Sequence, residues 1–250
     1  MKKIRISNKG KVLAAAGLIA IMGIGGIRAY MTDHDAATNP FTVGKVDFVL
    51  YEENWDGKLP DGTYATPSEA TPSEALGIVQ ATDMYSGKVI NKDPAIKNNS
   101  RNDAYLRMSV KIPVAEVVTA DEDGTLNNGG MPAETELFTY EENPGTGMRK
   151  VSDIPKVEWD PDVATSSEAT RIYHVYEYEY TGGGSQEVPL PAGRDIPPLF
   201  DQVVFANVIE GQVDEETEFL TVDFKAIQSG GFESADDAWA AYERQNPKKE

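Results

Sequence analysis

The stretch Tyr105-Leu106-Arg107-Met108-Ser109-Val110-Lys111-Ile112-Pro113 decides the fold class. Leu106, Met108, Val110 and Ile112 share one parity, while Tyr105, Arg107, Ser109 and Lys111 share the other. A period of two places the apolar set on one face of a β-strand and the polar set on the other. Pro113 has no N–H for a ladder, so the strand is expected to end or to meet an edge there. The same alternation returns at Leu220, Val222, Phe224 and Ala226, and again at His174, Tyr176, Tyr178 and Tyr180 with Glu177 and Glu179 opposite.

Nearer the N-terminus, Phe41 and Val43 share one parity, but Val46, Phe48 and Leu50 share the other. The change falls at Gly44-Lys45, which predicts a β-bulge. Further strands are expected around Gly77–Asp83, Val114–Thr119, Glu136–Tyr140 and Val203–Ile209. One helix is expected near the C-terminus, capped by Ser234, with Asp236 and Asp237 in its first turn and Trp239 and Tyr242 on one face. The expected class is therefore all-β, a two-sheet β-sandwich with a short C-terminal helix.

The chain has 250 residues, no cysteine, two histidines and 41 acidic against 23 basic side chains, a net charge of −18. Such a charge repels nucleic acid and anionic membrane surfaces, so neither is expected as a partner. Without cysteine there is no disulfide framework, thiolate metal site or cysteine nucleophile. Lys2, Lys3, Arg5, Lys9 and Lys11 precede an apolar run from Val12 to Ile27, followed by the small residue Ala29. Residues 1–29 read as a signal peptide cleaved between Ala29 and Tyr30, with an uncleaved anchor as the alternative. Cleavage leaves 17 basic and 41 acidic side chains, a net of −24. Residues 30–250 then form a single secreted domain.

Two segments are low in complexity. Residues 61–76 contain Ala-Thr-Pro-Ser-Glu twice in tandem, and residues 160–171 carry the related Ala-Thr-Ser-Ser-Glu-Ala-Thr. Both read as flexible surface loops, and glycosylation of their hydroxyls stays open.

The sequence carries little recognisable chemistry. His34 and His174 are 140 positions apart, and neither has the helical spacing or the glutamate of a zinc protease. Asp33-His34-Asp35 has metal-capable side chains but reads as a solvated turn or strand end. His174 reads as a packed, hydrogen-bonded residue. Asp121-Glu122-Asp123 and Asp160-Pro161-Asp162 lack the twelve-residue pattern of a calcium loop. The tyrosines of Tyr173–Tyr180 suit sheet packing, with a carbohydrate platform as the alternative. No catalytic, cofactor-binding or metal site is assigned, and the chain reads as non-enzymatic.

Four blocks in order resemble the TasA/camelysin family of exported, SipW-dependent proteins of Gram-positive bacteria. The first runs Ala29-Tyr30-Met31-Thr32-Asp33-His34-Asp35-Ala36-Ala37-Thr38-Asn39 and on through Phe41-Thr42-Val43-Gly44-Lys45-Val46, with Met31 where the family has a second aromatic. The second is Lys92-Asp93-Pro94-Ala95-Ile96-Lys97-Asn98 with Asp103-Ala104-Tyr105-Leu106-Arg107. The third joins the tyrosine-rich strand to Pro197-Pro198-Leu199-Phe200 and Val203. The fourth is Ala226-Ile227-Gln228 with Gly231-Phe232 and the helix start Ala235–Trp239.

The resemblance implies a jelly-roll-like sandwich and a biofilm matrix subunit that forms extracellular fibres. It implies processing by an ER-type signal peptidase, and partners that are other copies of the chain and other matrix or cell-wall components. Subunits would join head to tail by donor-strand β-augmentation, the donor lying within residues 30–40 and including Tyr30, Met31, Thr32, Asp33, His34 and Asp35. Two other readings stay open, a monomeric surface binding module or adhesin and a metal-dependent peptidase.

Overall fold

The computed structural model describes residues 46–65, 76–82, 84–160, 171–213 and 220–247. Gly44–Ala240 forms one compact unit. In a second unit the described residues are Ala241–Pro247, the end of a helix, closed by Asn246 N–H on Tyr242 O.

The strands are β1 (Phe48–Tyr51), β2 (Val89–Asn91), β3 (Ala95–Asn98), β4 (Ala104–Val117), β5 (Ala133–Glu136), β6 (Phe138–Tyr140), β7 (Met148–Lys150), β8 (Lys156–Asp160), β9 (Arg171–Tyr180), β10 (Asp195–Ile196), β11 (Gln202–Phe205) and β12 (Thr221–Gln228). The α-helices are α1 (Glu53–Asp56), α2 (Gly77–Gln80) and α3 (Ala235–Gln245). The fold is an all-β sandwich with a short C-terminal helix, as the alternating segments predict.

One layer runs β12-β4-β9-β7, with β5 also on β4 and β8 also on β9, all antiparallel. The facing layer consists of two three-stranded sheets, β1-β3-β10 and β2-β11-β6. They are stitched together where the β2–β3 segment runs past the β10–β11 segment. Leu199 N–H donates to Pro94 O and Lys92 N–H to Asp201 O between the two ladders. The pairing slips by one residue between Ile196↔Ile96 and Gln202↔Asn91. Pro197 and Pro198 occupy the slip, where no ladder donor is required.

Leu106, Met108, Val110 and Ile112 of β4 are buried in one cluster with Ile90, Ile96, Leu199, Phe200, Val203 and Phe205. The apolar parity read from the sequence is therefore the core face. Each such side chain contributes about 1.5–3 kcal/mol on burial.

Pro113 does not end its strand, contrary to expectation, and Val114–Val117 continues β4 rather than starting anew. On that flank β4 pairs with β12 as far as Lys111 and with β5 from Val114, so Pro113 sits where the partner changes. Leu137 N–H donates to Pro113 O, while Leu137 O accepts Ala206 N–H from the opposite layer. The carbonyl a donor at 113 would have met is thus engaged elsewhere. Leu137 is also where the expected strand Glu136–Tyr140 divides, β5 joining β4 and β6 joining β11.

Gly77–Asp83 is not a strand. Gly77–Gln80 is a helical turn, with Ile78 and Val79 exposed. A Cβ on Gly77 would lie 1.7 Å from Asn91 O and 2.6 Å from the Trp55 ring, so only glycine allows this approach. The strand expected over Val203–Ile209 stops at Phe205, and Val208 forms only an isolated bridge to Thr119. The bulge expected at Gly44-Lys45 lies outside the described residues, as do 66–75 and 161–170 of the low-complexity segments. Asp160 and Arg171, placed within the second loop, are instead paired strand ends of β8 and β9.

Candidate functional site

Ala29, Tyr30, Met31, Thr32, Asp33, His34 and Asp35 all lie outside the described residues. The structure does position two features that bear on function, a polar line along β9 and the strands at the sandwich margins.

On β9, His174, Tyr176 and Tyr178 pair with Ile112, Val110 and Met108 of β4 and share the inward face. The rings extend the core and the polar tips need partners. Tyr178 is fully buried; its hydroxyl donates to Glu142 Oε1 at 2.9 Å and lies 2.7 Å from the Tyr140 hydroxyl. With its one proton committed to Glu142, Tyr178 accepts from Tyr140. Lys150 Nζ stands 2.6 Å from the same Glu142 oxygen and 4.7 Å from the Tyr176 ring centre, a cation–π contact.

Further along, the Tyr176 hydroxyl donates to Glu136 Oε1 at 2.7 Å. His174 Nδ1 is 2.8 Å from that oxygen, and its Nε2 is 3.2 Å from Glu134 Oε1. Val114 pairs with Glu136 on one side and Ile172 on the other, so these contacts bridge over β4. His174 is thus the packed, hydrogen-bonded residue its strand context predicts. The glutamates that hold it are 38 and 40 positions away, and no sequence signal marked them.

Burial first, then the bond to Glu136 and its charge, push the Tyr176 hydroxyl up to about 12. Burial raises Tyr140 and Tyr178 as well. These hydroxyls stay protonated at neutral pH, as hydrogen-bond donors rather than bases or nucleophiles. The line cross-links β5, β6, β7 and β9. Among the described residues no group of three His, Asp or Glu side chains is placed to hold a metal ion. Asp121-Glu122-Asp123 closes a turn, with Thr125 N–H on the Asp123 carboxylate.

Lys92, Asp93 and Arg107 fall on structural joints. Lys92 Nζ is 2.9 Å from Glu52 Oε1 and 4.6 Å from the Trp55 ring centre. The Asp93 carboxylate accepts the Asn54 and Trp55 N–H groups at the start of α1. Burial nevertheless pushes the Asp93 pKa above the ordinary carboxylate value, outweighing those bonds. Arg107 meets Glu187 at 2.7 Å and lies over the Trp239 ring, whose Nε1–H donates to Glu187 Oε1 at 2.7 Å.

At the margins, β1 and β12 each pair on one side only among the described residues. They belong to opposite layers, and Phe48 of β1 meets Phe224 of β12 at 6.1 Å between ring centres. Phe48, Leu50, Phe224 and Ala226 are partly buried against the core. Two outermost strands therefore face each other across one side of the sandwich. No described helix is long and apolar enough to cross a membrane. Comparison with protein-family models, curated proteins and solved structures finds no match.

Proposed function

We propose that the protein is a secreted structural subunit of extracellular biofilm-matrix fibres, non-enzymatic, exported with cleavage between Ala29 and Tyr30. In this reading the ER-type signal peptidase frees the segment Tyr30–Asn39, which then adds as a strand to the next subunit. A head-to-tail contact of this kind does not close on itself and so propagates as a filament. The observation that carries the reading is the pair of outermost strands, β1 and β12, meeting at Phe48 and Phe224. Outermost strands carry backbone groups that an added strand can satisfy.

The binding-module alternative would use the tyrosines of β9 as its surface, but Tyr178 is buried and the hydroxyls of Tyr140, Tyr176 and Tyr178 are committed to one another and to glutamates. Negative-stain microscopy of chains beginning at Tyr30 and at Phe41 tests the proposal. Filaments from the first and monomers from the second are expected. Filaments from both would keep the fibre role and remove the donor from residues 30–40. Monomers from both, in salt and calcium, would overturn the fibre role.

A further inference from the structure

The backbone phase of β12 follows from two hydrogen bonds. Ser229 N–H donates to Asp103 O, one step beyond the pair Gln228↔Ala104. On the same flank of β4, Leu137 N–H donates to Pro113 O. In an antiparallel ladder the N–H and C=O of one residue point to the same side, and successive residues alternate. Odd-numbered residues of β4 thus face β12, and Thr221, Asp223, Lys225 and Ile227 face back at them. The N–H and C=O groups of Val222, Phe224, Ala226 and Gln228 point away from the sheet.

Three features favour docking at this edge, and the first separates it from β1, which is likewise uncharged and free of proline and glycine. At eight residues, β12 is the longest outermost strand among those described; the others have five or fewer. Its eight consecutive pairs run without a bulge, a proline or a glycine, the usual devices that stop a long edge from recruiting another chain. Asp223 and Lys225 cancel, so Thr221–Gln228 is neutral within a chain of net −18. A like-charged second copy is repelled least where the local charge is zero.

We infer that the outer edge of β12 is the docking surface for an extended strand of a second copy of this chain. The incoming backbone pairs with Val222, Phe224, Ala226 and Gln228, and its inward side chains lie beside Phe224 and Phe48. If the incoming strand is Tyr30–Asn39, this is the acceptor of the proposed fibre, and to that extent the inference rests on the fibre reading.

The test uses the chain beginning at Tyr30. Ala226→Pro removes an N–H that faces away from β4, so the folded subunit keeps its ladder while the docking edge loses a donor. Loss of filaments with an unchanged circular dichroism spectrum and melting temperature is expected. Filaments equal to wild type would overturn the inference. Amide hydrogen exchange of the wild-type chain supplies a second reading should the variant fail to fold. The amides of 222, 224, 226 and 228 should exchange in dilute solution and become protected on assembly. Protection already present at high dilution would mean that the chain covers its own edge, and exchange that persists in assemblies would place the contact elsewhere; either sinks the inference. Filaments with an unprotected β12 would leave the fibre reading standing, whereas closed oligomers with a protected β12 would sustain the inference and sink the fibre. A wild-type chain that stays monomeric throughout overturns both.

Discussion

At the scale of single residues, the tyrosines of β6 and β9 make stability depend on alkaline pH. An ordinary tyrosine titrates near 10.0, but the Tyr176 hydroxyl is pushed up to about 12 by burial and by Glu136. Between these values the unfolded chain releases a proton that the folded chain retains. The unfolded state is then favoured, so stability falls as pH rises. Burial shifts Tyr140 and Tyr178 in the same direction, which extends the loss to higher pH. Denaturant unfolding from pH 8 to 12 should show this decline beginning near pH 10, and Tyr176→Phe should flatten its first part. At pH 8, Tyr178→Phe should cost about 1–3 kcal/mol, because Tyr140 and Glu142 both lose their buried partner. An unchanged stability would mean that water replaces the hydroxyl.

At the scale of elements, α3 shows how a local signal and a distant one combine. Ser234 Oγ accepts Asp237 N–H at 3.2 Å, the capping contact expected from the sequence. What ties the helix to the sheet is Glu187, which holds Trp239 Nε1–H and Arg107 together. Glu187→Ala should cost about 1–3 kcal/mol, since it leaves a buried indole N–H and a guanidinium without their acceptor. Glu187→Gln should recover much of that loss by keeping a carbonyl for Trp239. Thermal melts of both variants check the order. Glu187 sits 80 positions from Arg107 and 52 from Trp239, so nothing in its own neighbourhood announces the role. The same limit explains which elements were legible. β4, β9 and β12 are long and alternate in residue type along the chain, so alternation alone reveals them. At Leu137 the chain changes layer within one apolar run, and a period cannot report which sheet a residue joins. Residues 77–83 look like a strand because Ile78 and Val79 are apolar, yet both are exposed; what sets their conformation is the contact of Gly77 with Asn91 and Trp55. The proposed donor sequence could be located by resemblance, whereas the backbone phase of β12 emerges only once its register on β4 is known.

At the scale of the whole molecule, charge opposes the proposed assembly. After cleavage at Ala29 the chain would carry 17 basic and 41 acidic side chains, a net of −24. Each added subunit brings the same charge to a growing end, so repulsion accumulates while the gain per contact stays fixed. Screening changes this balance steeply, because exposed charges farther apart than about 10 Å cease to interact strongly at 0.1 M salt. Backbone pairing along the neutral β12 is nearly insensitive to salt, so ionic strength should act on the repulsion and leave the attraction in place. Filament yield, followed by light scattering and microscopy, should therefore rise with sodium chloride and rise further with calcium at equal ionic strength, since a divalent cation also neutralises carboxylate pairs. The rise with monovalent salt should weaken in a variant whose exposed turn acids Asp121, Glu122 and Asp123 are replaced by Asn, Gln and Asn, a change that removes three charges far along the chain from the strand edge. A yield indifferent to both salts would mean that electrostatic repulsion does not govern assembly, and the neutrality of β12 would then lose its place among the reasons for choosing that edge.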